Sequence, residues 1–173
     1  MLFNQYLIKP LIICVMTVLM SACVAEDNNK QKKPVTLQIG QAVIIDVFKT
    51  PSCGCCGKWI THLEDNGFQV IAHNKNDLSL LKKEKGIPAY YQSCHTGVSQ
   101  DGYVFEGHIP AHIIARFLQD KPVDAIGLTV PAMPVGSPGM EVGDKFMPYD
   151  VLMLRVDGTV THYARVATQK EQY

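Results

Sequence analysis

The hydrophobic pattern of residues 42–74 alternates between apolar runs and an amphipathic stretch. "AVIIDVFKT" (42–50) is an almost continuous apolar run rich in β-branched residues, which is typical of a strand buried on both faces. In "GKWITHLEDNGF", Trp59, Ile60 and Leu63 recur at helical spacing, and Asn66-Gly67 predicts the end of that helix. "FQVIAHN" predicts a second strand. Two strands joined through a helix predict a right-handed unit with parallel pairing.

The segment from residue 77 to residue 121 continues the alternation of helices and strands. Asp77 is a candidate N-cap for "LSLLKKEK", and a hairpin is predicted around Asp101-Gly102. Pro110 is positioned to begin a third helix, "AHIIARFLQDK". The order strand, helix, strand, helix, hairpin, helix is that of the thioredoxin fold, and it predicts a three-layer α/β protein. Pro88 lies where thioredoxins carry a cis-proline that faces the active-site cysteines.

The remainder of the chain is a long loop and a hairpin. Residues 122–150 are rich in proline and glycine, carry three methionines and have no helical or strand period. "VLMLRVDGTVTHYARV" predicts a C-terminal hairpin that turns at Asp157-Gly158. Because long loops between well-patterned elements are usually functional, we expect the Pro/Gly/Met-rich loop to take part in function.

Composition and charge narrow the class of protein. The chain has 173 residues, 47% of them hydrophobic, and a formal net charge of zero. This length and composition fit one domain with a substantial core. No block of like charges occurs, which argues against a nucleic-acid partner.

The N-terminal residues have the features of an export signal. Residues 1–22 combine Lys9 with a short apolar stretch that ends in small residues, which suits the hydrophobic region of a secretory signal. Met20-Ser21-Ala22-Cys23 resembles a bacterial lipobox, so we expect lipidation at Cys23; ordinary cleavage nearby and a buried N-terminal helix are the alternatives.

These N-terminal features predict that the chain has three parts. Residues 1–22 are a signal peptide of lipoprotein type, 23–40 a flexible polar tether, and 41–173 the folded domain. The predicted location is the periplasm, with membrane attachment only through a lipid on Cys23.

Three cysteines occupy one turn at the start of the first predicted helix. Cys53 and Cys56 have the CxxC spacing of thiol-disulfide enzymes, with Cys55 between them, and Cys94 is the fourth cysteine of the domain. A helix N-terminus stabilises thiolates, so the cluster is suited to reactive sulfur. The cysteines could form static disulfides, a catalytic Cys53/Cys56 pair with Cys94 as resolving thiol, or a metal site.

Further candidate ligands lie elsewhere in the sequence. They are His95, which follows Cys94, His108 at the end of the hairpin, and Met133 and Met140 in the loop. Thiolate, thioether and imidazole together favour soft or borderline ions, above all Cu(I), whereas zinc does not need methionine and iron–sulfur clusters usually use more widely spread cysteines. Two glutamates, Glu106 and Glu141, could support such ligands by hydrogen bonding. The remaining four histidines are expected to be ordinary surface or half-buried residues: His62, His73, His112 and His162.

Four motifs in order resemble the small periplasmic CopG proteins of bacterial copper-resistance systems. They are "TPSCGCCGKW", "GIP" followed by "SCHT", "DGYVFEGHIP" and "VPAMPVGSPGME". The resemblance spans roughly residues 42–165. It implies a thioredoxin-like fold that binds several copper ions and interconverts Cu(I) and Cu(II). The sulfur ligands it implies are Cys53, Cys55, Cys56 and Cys94, and the motif positions that could complete the site are His95, His108, Met133 and Met140.

Three functions therefore stand as hypotheses. The first is an exported copper-binding protein of metal resistance that cycles copper between oxidation states, with copper-efflux or copper-resistance proteins as partners. The second is a thiol-disulfide oxidoreductase that uses Cys53 and Cys56. The third is passive copper storage or hand-off, which differs from the first only in kinetics.

Overall fold

The structure, a computed structural model, describes residues 42–173. The predicted signal peptide, the tether and Cys23 lie outside the described residues. Within residues 42–173, no helix is sufficiently long and apolar to span a membrane.

The first half of the described chain forms the predicted parallel unit. Strand β1 (Ile44–Lys49) leads through helix α1 (Gly54–Asp65) to β2 (Gln69–Asn74), which pairs with β1 in parallel. Helix α1 ends where Asn66 caps it and Gly67 adopts a positive φ of 86°, as the Asn-Gly pair predicts. The strands and the helix of this unit confirm the sequence pattern.

Helix α2 (Ser79–Glu84) begins one residue later than predicted, with Leu78 at its N-cap. Asp77 nevertheless supports the helix start, because its carboxylate accepts hydrogen bonds from the backbone N–H of Ser79 at 2.8 Å and from its hydroxyl at 2.6 Å. A 3-10 turn, Ala89–Tyr91, then follows Pro88, whose peptide bond is trans like every other in the described residues.

The predicted hairpin consists of β3 (His95–Ser99) and β4 (Val104–Glu106), and helix α3 (Ala111–Asp120) follows Pro110. Strand β3 runs antiparallel to β1, so that His95 lies opposite Lys49 at the end of β1 from which the cysteine turn departs. This register carries Cys94, the residue before β3, to the N-terminus of α1.

The Pro/Gly/Met-rich segment contains a strand that the sequence pattern did not predict, β5 (Ala125–Thr129). It pairs in parallel with β4 and antiparallel with β6 (Tyr149–Arg155), which forms the predicted C-terminal hairpin with β7 (Val160–Val166). The seven described strands therefore form one sheet, in the order β2-β1-β3-β4-β5-β6-β7.

Gly127 explains why β5 is hard to recognise. A Cβ at this position would lie 1.9 Å from the carbonyl oxygen of Val104, and the backbone has a φ of 155°, so a side chain is excluded where β5 meets β4. The glycine interrupts the apolar pattern of "AIGLT" for a reason that appears only once the two strands are neighbours.

Helix α1 is anchored to the sheet through Trp59. Its ring is fully buried, its Nε1 donates a hydrogen bond to the carbonyl of Ile109 at 2.8 Å, and it packs against Gly97 of β3, where a Cβ would lie 3.2 Å from the ring. Truncation of a buried tryptophan of this kind costs about 3–5 kcal/mol. Trp59 therefore fixes the height of the cysteine turn above the sheet.

Candidate metal centre

The four cysteines of the described chain meet at one point. Cys53, Cys55 and Cys56 occupy the first turn of α1, and Cys94 approaches them from the start of β3. The four Sγ atoms all lie within 4.8 Å of one another. Outside the disulfide, the Sγ atom of Cys53 lies 3.5 Å from that of Cys55, and the Sγ atom of Cys56 lies 3.5 Å from that of Cys94. The predicted convergence of Cys94 with the CxCC turn is present in the structure.

Cys53 and Cys56 form a disulfide, and Cys55 and Cys94 are free thiols. Each free thiol is next to a different sulfur of the disulfide, Cys55 to Cys53 and Cys94 to Cys56. Two static disulfides that would use all four cysteines are therefore not the arrangement found. The oxidised pair is the CxxC pair, which the catalytic hypothesis also uses.

A second group of donors shares Cys94. The Sγ atom of Cys94 lies 3.4 Å from Nδ1 of His95 and 3.7 Å from Nε2 of His108. Both imidazoles are fully buried, and their ring centroids are 4.9 Å apart in an edge-to-face arrangement. Trp59 packs against the ring of His95, with 4.3 Å between the centroids.

The Pro/Gly/Met-rich loop orients His108. Nδ1 of His108 donates a hydrogen bond to the carbonyl of Pro138 at 2.8 Å, which leaves the lone pair of Nε2 facing Cys94. The next residue, Gly139, packs so closely on α1 that a Cβ would lie 2.8 Å from both the carbonyl oxygen of Cys55 and the backbone nitrogen of Trp59. The loop thus depends on Gly139 to reach the cysteine turn.

The two candidate methionines occupy different environments. Met140 is half-buried and lines an open cavity of about 340 Å³ together with Cys55, Lys58 and Glu141. Met133 is 48% exposed. It follows Ala132, whose carbonyl accepts a hydrogen bond from the Ser93 hydroxyl at 3.1 Å. The assignment of either methionine as a ligand stays a prediction.

A buried ion pair lies behind the second donor group. Lys82 of α2 bonds to Glu106 of β4, and both side chains are almost completely excluded from solvent. Glu106 also accepts hydrogen bonds from the backbone N–H of Ser93 and, at 2.7 Å, from the hydroxyl of Thr96. Glu106 thus bonds to the residues on either side of the Cys94-His95 pair, and its predicted support of the ligands themselves stays a prediction.

Sequence reasoning did not single out Lys82. The signal was available, because Lys82 follows the buried Leu78 by four residues and therefore lies on the same face of α2. A lysine on the apolar face of a helix indicates a buried acidic partner.

The second predicted supporting residue, Glu141, stabilises the loop. Its carboxylate accepts hydrogen bonds from the backbone N–H of Gly139 at 2.8 Å and from the hydroxyl of Tyr173 at 2.9 Å. The carboxylate thus links the loop to the C-terminal residue of the chain.

Among the other histidines, His62 differs from expectation. It is only 8% exposed, and its Nε2 accepts a hydrogen bond from the backbone N–H of Ala111, at the start of α3. Because burial opposes a charged ring, the pKa of His62 is lowered to about 4. His73 and His162 lie near Asp46 and Asp150 on accessible surface, as expected.

Cys94, His95 and His108 are held in their uncharged forms when no metal is bound. Burial, followed by the neighbouring Cys55, raises the pKa of Cys94 to about 11. Burial likewise lowers the pKa values of His95 and His108. The helix N-terminus therefore does not make Cys94 a thiolate, and a metal cation that binds there must displace the thiol proton. Sulfur and imidazole nitrogen are donors that fit copper.

Comparison with known proteins identifies similar chains. The family described as "Protein of unknown function, DUF411" matches residues 91–140. Two solved structures, "Copper resistance protein copG", forms 1 and 2, are 44% identical in sequence, with TM-scores of 0.68 and 0.69. Each covers 73% of this chain, which in turn covers 98% and 99% of them. No curated protein sequence matches the chain significantly.

Proposed function

The chain belongs to the CopG family of copper resistance proteins, and from this premise we propose that it binds several copper ions and interconverts Cu(I) and Cu(II). The observation that carries the proposal is the convergence of four cysteine sulfurs within 4.8 Å of one another. A mononuclear site does not require three cysteines in a single helical turn. Thiolates that bridge several Cu(I) ions would use all of them.

The redox part of the proposal rests on the Cys53–Cys56 disulfide. Oxidation of two thiols to a disulfide releases two electrons and two protons, which is the number of electrons that reduces two Cu(II) ions to Cu(I). The S–S bond forms as the two S–H bonds break. Regeneration of the dithiol consumes two electrons from a thiol reductant. Copper is the substrate in this scheme, and the cysteine pair is the electron donor.

We further infer a thioredoxin-like core. The supporting observation is the order β2-β1-β3-β4, with β1 and β2 parallel, β3 antiparallel to both β1 and β4, and the cysteines at the first turn of the helix after β1. Strands β5 to β7 extend this core. The trans peptide bond of Pro88 is a difference from the thioredoxin pattern.

Export, location and partners are proposed from the sequence. The apolar N-terminal segment and the lipobox-like residues that end at Cys23 support a periplasmic protein with a lipid anchor. Copper-efflux or other copper-resistance proteins would be its protein partners in that compartment. Passive copper storage or hand-off uses the same ligands without the redox step.

The alternative function is a thiol-disulfide oxidoreductase. The observation that favours it is the placement of a free thiol 3.5 Å from each end of the disulfide, since either thiol could enter exchange with it. This function leaves His95, His108 and the methionines without a role, so we rank it second.

The test is an anaerobic titration of the fully reduced protein with Cu(I) against a competing chelator, with free thiols counted in parallel. Two or more tightly bound ions per chain, with the four thiols protected from alkylation, would support the proposal. Absence of tight copper, together with insulin reduction by metal-free protein, would favour the oxidoreductase. Reduction of added Cu(II), matched by formation of the Cys53–Cys56 disulfide, tests the redox step, with Cys53→Ser as the variant that should abolish it.

A further inference from the structure

The residues that follow β7 connect the edge of the sheet to helix α1. Strand β7 is the last strand on its side of the sheet, four strands away from β3. The 167–173 segment continues from it through a 3-10 turn, in which the Glu171 carboxylate accepts a hydrogen bond from the backbone N–H of Ala167 at 2.8 Å. The ring of Tyr173 then packs edge-on against His62 of α1, with 5.6 Å between the centroids. The segment therefore ends against the helix whose first turn carries the cysteines.

Gln172 makes the first contact between this segment and the Pro/Gly/Met-rich loop. Its side chain is 1% exposed, and its Nε2 donates a hydrogen bond to the carbonyl of Gly136. Its Oε1 accepts a hydrogen bond from the hydroxyl of the buried Tyr149, in β6, at 2.7 Å. Glutamine is seldom buried so completely, and here both ends of its amide are satisfied. The amide therefore fixes Gly136 of the loop to β6 of the sheet.

Tyr173 makes the second contact. Its hydroxyl donates a hydrogen bond to Oε1 of Glu141 at 2.9 Å, and the same oxygen accepts from the backbone N–H of Gly139 at 2.8 Å. Tyr173 therefore holds Gly139 through a single carboxylate oxygen. Together with the contact at Gly136, the 167–173 segment holds the loop on both sides of Pro138.

The loop residues between these two contacts form a tight turn. The backbone N–H of Gly136 donates to the carbonyl of Met140 at 2.9 Å, and the N–H of Met140 donates to the carbonyl of Ser137 at 2.7 Å. Pro138, within this turn, accepts the hydrogen bond from Nδ1 of His108. Because the turn is closed by its own hydrogen bonds, a force that holds its two ends also holds Pro138 in place.

We propose that Gln172 and Tyr173 are positioning residues of the candidate metal centre, which hold the 136–141 turn against the cysteine turn and keep the Pro138 carbonyl on His108. They act through Gly136 and Glu141 rather than by binding copper. The consequence for copper affinity rests on the proposed function. The holding of the turn is a property of the metal-free protein and can be measured without copper.

The experiment compares the wild-type full chain with the double variant Gln172→Met, Tyr173→Phe. Methionine has nearly the length of glutamine but no amide, and phenylalanine keeps the ring against His62 while it removes the hydroxyl. The matched control is Ser99→Ala, which removes a buried hydroxyl that accepts from the backbone N–H of Tyr103 at 3.1 Å. Ser99 lies at the opposite end of β3 from Cys94, so this control loses a buried hydrogen bond away from the loop.

Two measurements on metal-free protein test the holding of the turn. Hydrogen exchange at the amides of Gly136 and Met140 should become about tenfold faster or more in the double variant, because hydrogen bonds that oppose local opening are lost. Exchange at Val47 in β1 should change no more than it does in Ser99→Ala. The ring-nitrogen NMR signals of His108 should show the Nδ1–H tautomer in the wild type and in Ser99→Ala, and a mixture of tautomers in the double variant.

Copper affinity measures the consequence for the proposed function. In competition with a Cu(I) chelator, the reduced double variant should bind copper at least several-fold more weakly than the wild type, whereas Ser99→Ala should match the wild type. If the double variant does not fold, Tyr173→Phe alone should show the same changes at smaller size, since it removes one hydroxyl.

Two results would overturn the inference. The first is loop exchange that is unchanged in the double variant or equally fast in Ser99→Ala. The second is faster loop exchange with unaltered His108 signals, because the segment would then stabilise the loop without positioning the site. Absence of tight Cu(I) binding by the wild type would reject the proposed function instead, and the exchange rates and the His108 signals would still decide whether the two residues hold the turn.

Discussion

Lys82 and Glu106 form an ion pair whose side chains are 6% and 0% exposed, behind the strand that begins at His95. The pair does more than neutralise two buried charges, because Glu106 also accepts hydrogen bonds from Ser93 and Thr96. One carboxylate thus holds the chain on both sides of Cys94 and His95. Two residues after Glu106, the last residue of β4, the chain supplies His108.

Breaking the ion pair should destabilise the protein strongly. Glu106→Gln leaves the Lys82 ammonium buried without its counter-charge, which costs about 3–5 kcal/mol of unfolding free energy. Urea unfolding at neutral pH measures the change. The matched control is Asp101→Asn, which breaks the exposed Lys121–Asp101 pair and should cost less than about 1 kcal/mol. Equal losses in the two variants would contradict the role given to the buried pair.

A double variant tests whether Glu106 positions the Cys94 segment in addition to stabilising the protein. Lys82→Met with Glu106→Leu removes both charges, so we expect it to recover most of the stability lost in Glu106→Gln. It cannot restore the acceptor for Ser93 and Thr96, and copper affinity should therefore remain at least several-fold below that of the wild type. Competition with a Cu(I) chelator measures this affinity. Full recovery of the affinity would show that Glu106 does not position the Cys94 segment.

The loop contact at Gly139 gives a second prediction. Gly139→Ala places a Cβ 2.8 Å from backbone atoms of Cys55 and Trp59 at a φ of 87°, so the loop must shift and move Pro138 away from His108. We expect a loss of about 2–3 kcal/mol, of which about 1 kcal/mol is backbone strain. Gly158→Ala, with a φ of 81° and open space around it, is the matched control for the strain alone. Thermal unfolding of both variants tests whether the clash adds to the strain.

The two methionines give a third prediction, which concerns whether either of them binds copper. Met140 shares a cavity with Cys55, whereas Met133 is half exposed. Met140→Leu preserves volume and apolar character but removes the thioether, so we expect Cu(I) affinity to fall about tenfold if Met140 binds copper, with unfolding free energy changed by less than about 1.5 kcal/mol. Met133→Leu, measured by the same chelator competition, shows whether the more exposed methionine contributes as well. Unchanged affinity in both variants would remove the methionines from the site.

The part of the fold that could be predicted from sequence is the part with strong periodicity and clear breaks. The run 42–50, the helical spacing around Trp59 and the Asp-Gly turns all mark their elements correctly. Strand β5 was missed because its pattern is interrupted by Gly127, which is needed only because β4 passes within contact distance. Such a contact depends on strand order, which local pattern does not encode.

The residue types of the candidate site could be predicted from the sequence, whereas most contacts between its residues could not. The clustered cysteines and the Cys94-His95 pair indicate ligands for a soft or borderline metal ion. The element order predicted from the sequence, which resembles that of thioredoxin, places Cys94 near the cysteine turn. The sharing of Cys94 between two donor groups, and the link from His108 to Pro138, depend on distances between segments 14 and 30 residues apart. The partner of Lys82 lies 24 residues away, on a different element.

The buried histidine of α1 gives the last prediction, a dependence of stability on pH. The pKa of His62 is lowered to about 4 from 6.5, chiefly by burial. Glu141 and Asp65 oppose the shift and His112 adds to it, while the ring of Tyr173 packs edge-on against the imidazole.

His62 binds its proton at a higher pH in the unfolded chain than in the folded protein. The free energy of unfolding should therefore fall as pH decreases from about 6.5 to about 4. The loss is complete below about pH 4. Its size is on the order of 2–3 kcal/mol. Above pH 6.5 the ring is neutral in both states and contributes no pH dependence. Urea unfolding of metal-free wild type and His62→Gln between pH 7.5 and pH 4 measures the difference, since glutamine can still accept from Ala111 but does not titrate. His73→Gln, which changes a histidine on accessible surface, should follow the wild-type curve in this interval to within about 1 kcal/mol. If the stability difference between wild type and His62→Gln is the same at every pH, His62 does not titrate out of a buried neutral state.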